Sequence, residues 1–272
     1  CKAIAKQACD WDPNWINYGL GIDYETGWAT LDGSCNLWFA VYTSNTPRRI
    51  EYGTGNLAYA WTFTQAYPRG IDYHPALDRV LMVLTHANGN DIYAMSAPQV
   101  TPTKLAVTGL PQLLPNGMVV IPPGWGSLGG HVLITHTDNS IWSADPNGGV
   151  AMPFATAPGI VSALEFDGQT LFIAVAATKQ IMVLSSSGAL TPFVTAPCRP
   201  VALASDPGKR LFIACGDANE IWQYTLPSGP FTKVGTPKLE SSLYTPVPLV
   251  WDGVDSLIFA EETGYWIHML QL

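Results

Sequence analysis

Two histidines are the residues whose type and spacing could most directly support chemistry in this chain of 272 residues. His86 follows an apolar run in LTHANGNDIY, and His136 follows one in ITHTDNSIW, so we expect them at equivalent places of a repeat. With Glu261 or Glu262 they could bind a metal or act as general base and acid. We favour a simpler interpretation, a repeated hydrogen bond that stiffens each loop, because duplication alone produces such a pair.

Two arginines form the second candidate group. Arg69 and Arg199 fall in the second and fifth copies of the repeat described below, so they are expected to lie opposite each other across a ring and could clamp an anion. The favoured alternative is that each caps neighbouring carbonyl groups or pairs with an acid such as Asp72 or Asp217. As candidate ligand-binding residues we select five: Arg69, Arg199, Asn116, Asp217 and Glu261.

The elements that position these residues form a sixfold repeat. Each copy has a turn, an apolar run, a polar loop, and then an isoleucine or similar residue beside an aromatic one. The apolar runs are NLWFAVY (36–42), VLMVLT (80–85), HVLIT (131–135), TLFIA (170–174), RLFIA (210–214) and SLIFA (256–260). They recur about every 40 to 50 residues, which is typical of propeller blades. We therefore predict an all-β, six-bladed propeller with four antiparallel strands per blade, named A to D from the centre outwards.

This topology predicts where a site would lie. The start of strand A and the end of strand B share one face, so the D–A and B–C loops surround the mouth of the central channel. The first strand A is expected at 21–24. The last copy ends after its third strand, and residues 2–8 are expected to supply the fourth, although a short helix there is an equal alternative. We expect one domain, 1–272, with 1–17 as the closing segment.

Composition excludes several functions. Charged residues make up 12% of the chain, the net charge is −8, and no basic run is present, so binding to nucleic acid or to an anionic membrane is not expected. No apolar stretch has the length of a membrane span. The chain has no GxSxG, HExxH, P-loop or dinucleotide motif. Trp11, Trp15 and Trp28 could stack on sugars, but packing between blades is the favoured interpretation.

Five cysteines bear on the compartment. Cys9 could pair with Cys35, and Cys198 with Cys215 across a hairpin, which would indicate an oxidising environment. Buried free thiols are the alternative. Cys1 resembles the lipidated first residue of a processed bacterial lipoprotein, unless it is simply where this sequence begins. We expect an extracellular, periplasmic or cell-surface location.

Three segments carry a family resemblance: GIDYHPALDRVLMV (70–83), GGHVLITHTDNSIWSADPNGGV (129–150) and RPVALASDPGKRLFIACGDANEIWQY (199–224). They resemble NHL-type and gluconolactonase-like six-bladed propellers, which include lactonases, lyases and binding scaffolds. The resemblance implies a divalent metal held in the channel by Glu, Asn and Asp side chains. Asn116 matches one position, but residues 18–20 stand where an early glutamate is expected, which argues against a metal-dependent lactonase.

The sequence therefore predicts a secreted or surface-tethered binding scaffold. Its partner would be a protein, a polymer or a small ligand at the channel face, and the high mean hydropathy of +0.14 would suit an extracellular assembly. The alternative is a lactone hydrolase or lyase that uses His86, His136, Arg69 and Arg199 at the channel, with a divalent metal as its cofactor.

Overall fold

The computed structural model describes residues 8–11, 26–41, 44–59, 61–96, 101–206, 209–235, 246–261 and 267–272. These residues form strands, with two short 3-10 turns at Gly126–Leu128 and Ala176–Thr178 and no α-helix. Within them, no helix has the length and apolar character that crossing a bilayer would require.

The strands group into six antiparallel sheets, which are the predicted blades. Blade 1 comprises β1 (Thr26–Leu31), β2 (Leu37–Val41), β3 (Arg48–Ile50) and β4 (Leu57–Tyr59). Blade 2 comprises β5 (Ala66–His74), β6 (Arg79–His86), β7 (Gly89–Met95) and β8 (Thr103–Lys104). Blade 3 comprises β10 (Pro115–Val120), β11 (Val132–His136), β12 (Ser140–Ala144) and β14 (Met152–Thr156).

The second half of the chain repeats this arrangement. Blade 4 comprises β15 (Val161–Phe166), β16 (Leu171–Val175), β17 (Gln180–Leu184) and β18 (Leu190–Thr195). Blade 5 comprises β19 (Pro200–Asp206), β20 (Arg210–Cys215), β21 (Glu220–Thr225) and β22 (Phe231–Gly235). Blade 6 shows three strands in the described residues, β23 (Pro246–Trp251), β24 (Ser256–Glu261) and β25 (Ile267–Gln271). A two-stranded parallel ribbon, β9 (Val107–Thr108) with β13 (Gly149–Val150), connects the edges of blades 2 and 3.

The blades close into a ring. Each inner strand contacts the inner strand of the next blade, and β23 of blade 6 contacts β1 of blade 1. Six apolar clusters fill the six seams between neighbouring blades. The B strands are buried on both faces, and every residue of β2, β11 and β16 is buried. This is why the B strands appear in the sequence as continuous apolar runs and not as alternating ones.

The A–B turns are built by buried aspartates at the ends of strand A. In Asp32, Asp167 and Asp252, Oδ1 accepts hydrogen bonds from backbone N–H groups two to four residues later. Asp206 instead pairs with Arg210 through Oδ2 at 2.9 Å. Aspartate is suited to this role because its short side chain can bond to its own turn.

Both expected disulfides are present. Cys9 is bonded to Cys35, and Cys198 to Cys215. Strand A of blade 1 is described over Thr26–Leu31 and ends at the Asp32 turn, where it pairs with β2. Residues 21–24, where this strand was expected, lie outside the described part of the chain. Residues 2–7 lie outside the described part of the chain, so the closing strand stays a prediction.

Candidate functional site

Each inner strand carries a β-bulge near its start, and this bulge sets the geometry of the predicted site. The irregularity lies between Pro68 and Gly70 in blade 2, and between Pro115 and Gly117 in blade 3. Blades 4 and 5 repeat it. The residues inserted by these four bulges are Arg69, Asn116, Ser162 and Val201. A bulge re-aims its side chain, so this is the ring position at which polar residues reach the next blade.

Two of these side chains join neighbouring blades. Asn116 Nδ2 donates a hydrogen bond to the Val161 carbonyl over 2.5 Å. Ser162 Oγ lies 2.8 Å from the Pro200 carbonyl, which it bonds in the same way. Val161 and Pro200 hold the same register position in blades 4 and 5. The amide nitrogen of Asn116, a predicted ligand-binding group, therefore serves a contact between blades.

The two arginines, expected opposite each other across the ring, do not occupy equivalent positions in their blades. Arg69 is the bulge residue of blade 2, whereas Arg199 precedes Pro200, the register equivalent of Pro68. Arg199 thus stands two residues earlier in the repeat. Its Nη2 donates to the Gly216 carbonyl over 3.1 Å, as the alternative interpretation expected.

Arg199 belongs to a polar network with Asp217 and Lys179. The backbone N–H of Arg199 donates to Asp217 Oδ1 over 3.0 Å, and Lys179 Nζ lies 3.2 Å from Asp217 Oδ2. The hydrogen bond from the Arg199 backbone, together with the Lys179 ammonium, lowers the pKa of Asp217. The structure thus brings two of the predicted ligand-binding residues together on the D–A and B–C face, where they bind each other.

His86 is held within its own hairpin. Its Nε2 lies 3.1 Å from Asp91 Oδ2, and its Nδ1 accepts the backbone N–H of Asn88 at 3.2 Å. Asp91 also binds Lys104 at 2.7 Å. These contacts agree with the loop-stiffening interpretation for His86, whereas the repeat of this bond at His136 is wrong, since neither of its ring nitrogens has a partner in the described residues.

His136 differs from His86 in position and environment, so their expected equivalence is wrong. His136 pairs with Pro115, the residue before the bulge of blade 3. In blade 2 the residue before the bulge is Pro68, and it pairs with Leu84, which lies two residues before His86. His136 is fully buried, and neither ring nitrogen has a hydrogen-bond partner among the described residues. Burial lowers its pKa to about 4, against a small opposing effect of Asp138. The ring is therefore neutral at pH 7.

Glu261 occupies the place of His136 in blade 6. It pairs with Pro246 at the end of β24, so its backbone belongs to the same ring position. Its side chain lies outside the described residues, as do Tyr18, Thr245 and Glu262.

The described residues do not fit the metal that the resemblance implied. Among them, no three His, Cys, Asp or Glu side chains are grouped so that they could hold an ion.

Sequence reasoning missed a set of exposed apolar side chains on this face. Tyr67, Leu114 and Ile160 are exposed by 43%, 41% and 49%, and each immediately precedes the register position of Pro68. Trp61 and Leu113, in the D–A connections, are also exposed. We call these five residues the apolar rim. The signal in the sequence was an apolar residue directly before the position of Pro68, Pro115 and Val161 in three successive blades.

The channel is narrow on this side. The Trp28 indole reaches from blade 1 to Gly117 of blade 3, where an added Cβ would clash with the ring. The space at this level is about 60 Å³, enough for a few water molecules. Towards the A–B turns it widens to a cavity of about 330 Å³. Trp28 is therefore a channel residue, neither a surface platform for sugars nor only a seam residue.

Comparison with known proteins identifies solved structures that share this fold. No family model and no curated protein matches the chain. Among solved structures, a catalytically inactive His-to-Ala variant of virginiamycin B lyase from Staphylococcus aureus with quinupristin shares 20% identity at a TM-score of 0.66, covering 91% of this chain and 80% of the lyase. A gluconolactonase from Xanthomonas campestris shares 14% identity at a TM-score of 0.70, covering 95% and 88%.

A structure of the nidogen/laminin complex also matches, with 15% identity and a TM-score of 0.61, covering 77% of this chain and 79% of that one. These similarities confirm the six-bladed propeller. At such identities they establish the fold alone.

Proposed function

We propose that the chain is a binding propeller of an oxidising compartment, one domain over 1–272, that docks another protein on its D–A and B–C face. The apolar rim is the observation that carries this proposal. Of the nine large apolar side chains exposed in the described residues, five belong to the rim. Isolated exposed apolar residues are ordinary on a protein surface. Here an exposed apolar residue recurs at the same ring position in three successive blades, so these side chains lie together around one mouth of the central channel.

The polar surroundings of the rim suit an interface. The network of Arg199, Asp217 and Lys179 lies on the same face in blades 4 and 5. Aromatic and aliphatic anchors flanked by satisfied polar groups are typical of protein-binding surfaces. A structure of the nidogen/laminin complex is among the similar propellers, so the fold is compatible with a protein partner.

The two disulfides support a location outside the reducing cytoplasm, either secreted or at the cell surface. A lipid on Cys1 would tether the propeller to a membrane. Mass spectrometry of the intact native N-terminus tests this, and an unmodified Cys1 would exclude the anchor.

A variant pair tests the docking face. Leu114→Glu/Ile160→Glu places charges in the apolar rim, and Met152→Glu places one on the exposed edge of blade 3 as a control. Each protein is immobilised and exposed to extracellular material from the source cells, and retained partners are purified. We expect the wild type and the control to bind a purified partner equally and the rim variant to bind at least tenfold more weakly. Equal binding by all three would refute the docking face.

A second candidate function is a lyase or lactone hydrolase. The observation in its favour is the buried His136, whose two ring nitrogens have no partner in the described residues. Against it stand the lack of access to that ring and the engagement of His86 and Arg199 in local bonds. Assays of lactone hydrolysis and of streptogramin B cleavage, with metal analysis, decide between the two. If the wild type turned over either substrate and His136→Leu did not, the enzyme function would replace the proposed binding function.

A further inference from the structure

The wide end of the channel lies on the opposite side of the ring from the proposed docking face. Its cavity of about 330 Å³ falls in the size range of small-molecule sites. It is lined mainly by inner strands and A–B turns, and the aromatic side chains Tyr73, Phe166 and Trp251 contribute to its walls. The narrow region beside Trp28 separates it from the other mouth, so the cavity is reached from the A–B side.

Two carboxylates line this cavity at the same position of their inner strands. Asp72 pairs with Leu81 in blade 2, and Glu165 pairs with Phe172 at the equivalent register in blade 4. Both side chains are only partly buried. The sixteen described lining residues include these two acids and no lysine, arginine or histidine. These two acids are therefore the charged groups on the described walls of the cavity, and they lie among mainly apolar side chains.

Neighbouring blades fix both acids in place. Asp72 accepts hydrogen bonds from Thr30 Oγ1 at 3.0 Å and from the Val120 N–H at 2.7 Å, so it connects blades 1, 2 and 3. Glu165 Oε1 accepts a bond from Ser205 Oγ of blade 5 at 2.5 Å. The charges are thus held rigidly, which lowers the entropic cost of binding a ligand between them.

One aromatic wall is equally rigid. Trp251 stacks on Phe212 with ring centroids 5.4 Å apart and an interplanar angle of 21°. The Arg210 guanidinium, 5.2 Å from the Trp251 ring, is anchored by Asp206. Trp251 therefore gives the cavity a fixed flat surface and a fluorescent reporter.

From these features we infer a second binding site, for a small organic ammonium ion with an apolar or aromatic body, in the wide end of the channel. The ammonium group would lie on the side of Asp72 and Glu165, and the body would pack against Phe166 and Trp251. This site is independent of the proposed protein-docking face.

The test uses three probes of one shape and different charge: 2-phenylethylamine, 2-phenylethanol and phenylacetate. Saturation-transfer NMR and Trp fluorescence titration are measured on the full chain at pH 7. We expect the amine to bind at least tenfold more tightly than the alcohol, and the acid not to bind. Equal binding of amine and alcohol, or no binding of the amine, would overturn the proposal.

Two variants locate the site. Glu165→Gln removes the charge and keeps an acceptor for Ser205, and we expect amine binding to weaken at least fivefold. Ala204→Phe, at the register of Glu165 in blade 5, should fill the cavity and abolish binding. Glu220→Gln, the same substitution on the outer side of blade 5, is the matched control and should bind as the wild type does.

A further variant tests whether the amine site is independent of the proposed docking face. Leu114→Glu/Ile160→Glu should bind the amine unchanged even if it loses a protein partner. Amine binding that persists in Ala204→Phe, or that is lost in the rim variant, would place the probe elsewhere and refute the cavity site.

Discussion

At the scale of single residues, His136 shows that burial and register decide what an ionisable group can do. The equivalent ring positions in blades 1, 2 and 4 are Val41, Leu84 and Val175, so the fold accommodates an apolar side chain there. His136 has the same burial and no hydrogen-bond partner among the described residues. Its neutral form is tolerated, but its charged form is strongly disfavoured.

This predicts an acid-sensitive stability that disappears in His136→Leu. The native pKa, about 4, lies below the ordinary value of 6.5, so the stability contribution is full above pH 6.5 and is lost as the pH falls towards 4. Over that interval the wild type should lose about 3 kcal/mol more than the variant. Urea unfolding at several pH values from 4 to 7.5 measures the difference. If the unfolding free energies of the wild type and of His136→Leu changed in parallel with pH, the prediction of a depressed His136 pKa would be refuted.

At the scale of elements, the bulges of the inner strands turn polar residues into connections between blades. Asn116 bonds the carbonyl of Val161, and Ser162 bonds that of Pro200. In blade 5 the bulge residue is Val201, which has no side-chain donor for such a bond. Conspicuous polar residues at a channel mouth can therefore hold the ring together without binding any ligand.

We predict that Asn116→Ala destabilises the propeller by about 1–2 kcal/mol, because it leaves the Val161 carbonyl without its donor. Asn116→Asp should cost more, since a carboxylate oxygen would face that carbonyl. Gln169→Ala, in an exposed A–B turn, is the control and should change stability little. Thermal and urea unfolding measure these effects. Unchanged stability in Asn116→Ala, or equal losses in both Asn116 variants, would refute the structural role.

At the scale of the whole molecule, the seam between blades 6 and 1 closes the ring, and residues near the N-terminus take part in it. Trp11 is buried there beside Ile258 and Ile267. The Cys9 N–H donates to the Asp252 carbonyl over 2.6 Å, and the Cys9–Cys35 disulfide ties this segment to blade 1. The Cys198–Cys215 disulfide, in contrast, joins the start of blade 5 to its own second strand.

We predict that Cys9→Ala/Cys35→Ala lowers the Tm more than Cys198→Ala/Cys215→Ala. Loop entropy alone would make the two losses similar, about 3 kcal/mol each, since the cysteines are 26 and 17 residues apart. The first pair also frees the Trp11 segment from the closing seam. Hydrogen exchange should then accelerate in β25 and β1 of the first variant only. Equal Tm losses without faster exchange at the seam would contradict a closing role.

The sequence by itself determined the sixfold repeat, the B strands and the turns before them, and it offered both disulfide pairs beside the alternative of buried free thiols. Each of these depends on local chemistry: a strand buried on both faces must be continuously apolar, and a tight turn requires Asp or Gly.

Only the tertiary structure decided which residues share a surface. Val83 and Ile92 of blade 2 correspond by register to Thr135 and Ile141 of blade 3, so the hairpin that ends in His86 is longer. Bulges and hairpin lengths shift register by whole residues, and both pairs are displaced by two residues, which moves a side chain along its strand and away from its expected partner. That is why the two histidines and the two arginines do not lie at equivalent positions. The apolar rim and the acidic cavity could likewise be recognised only in the closed ring.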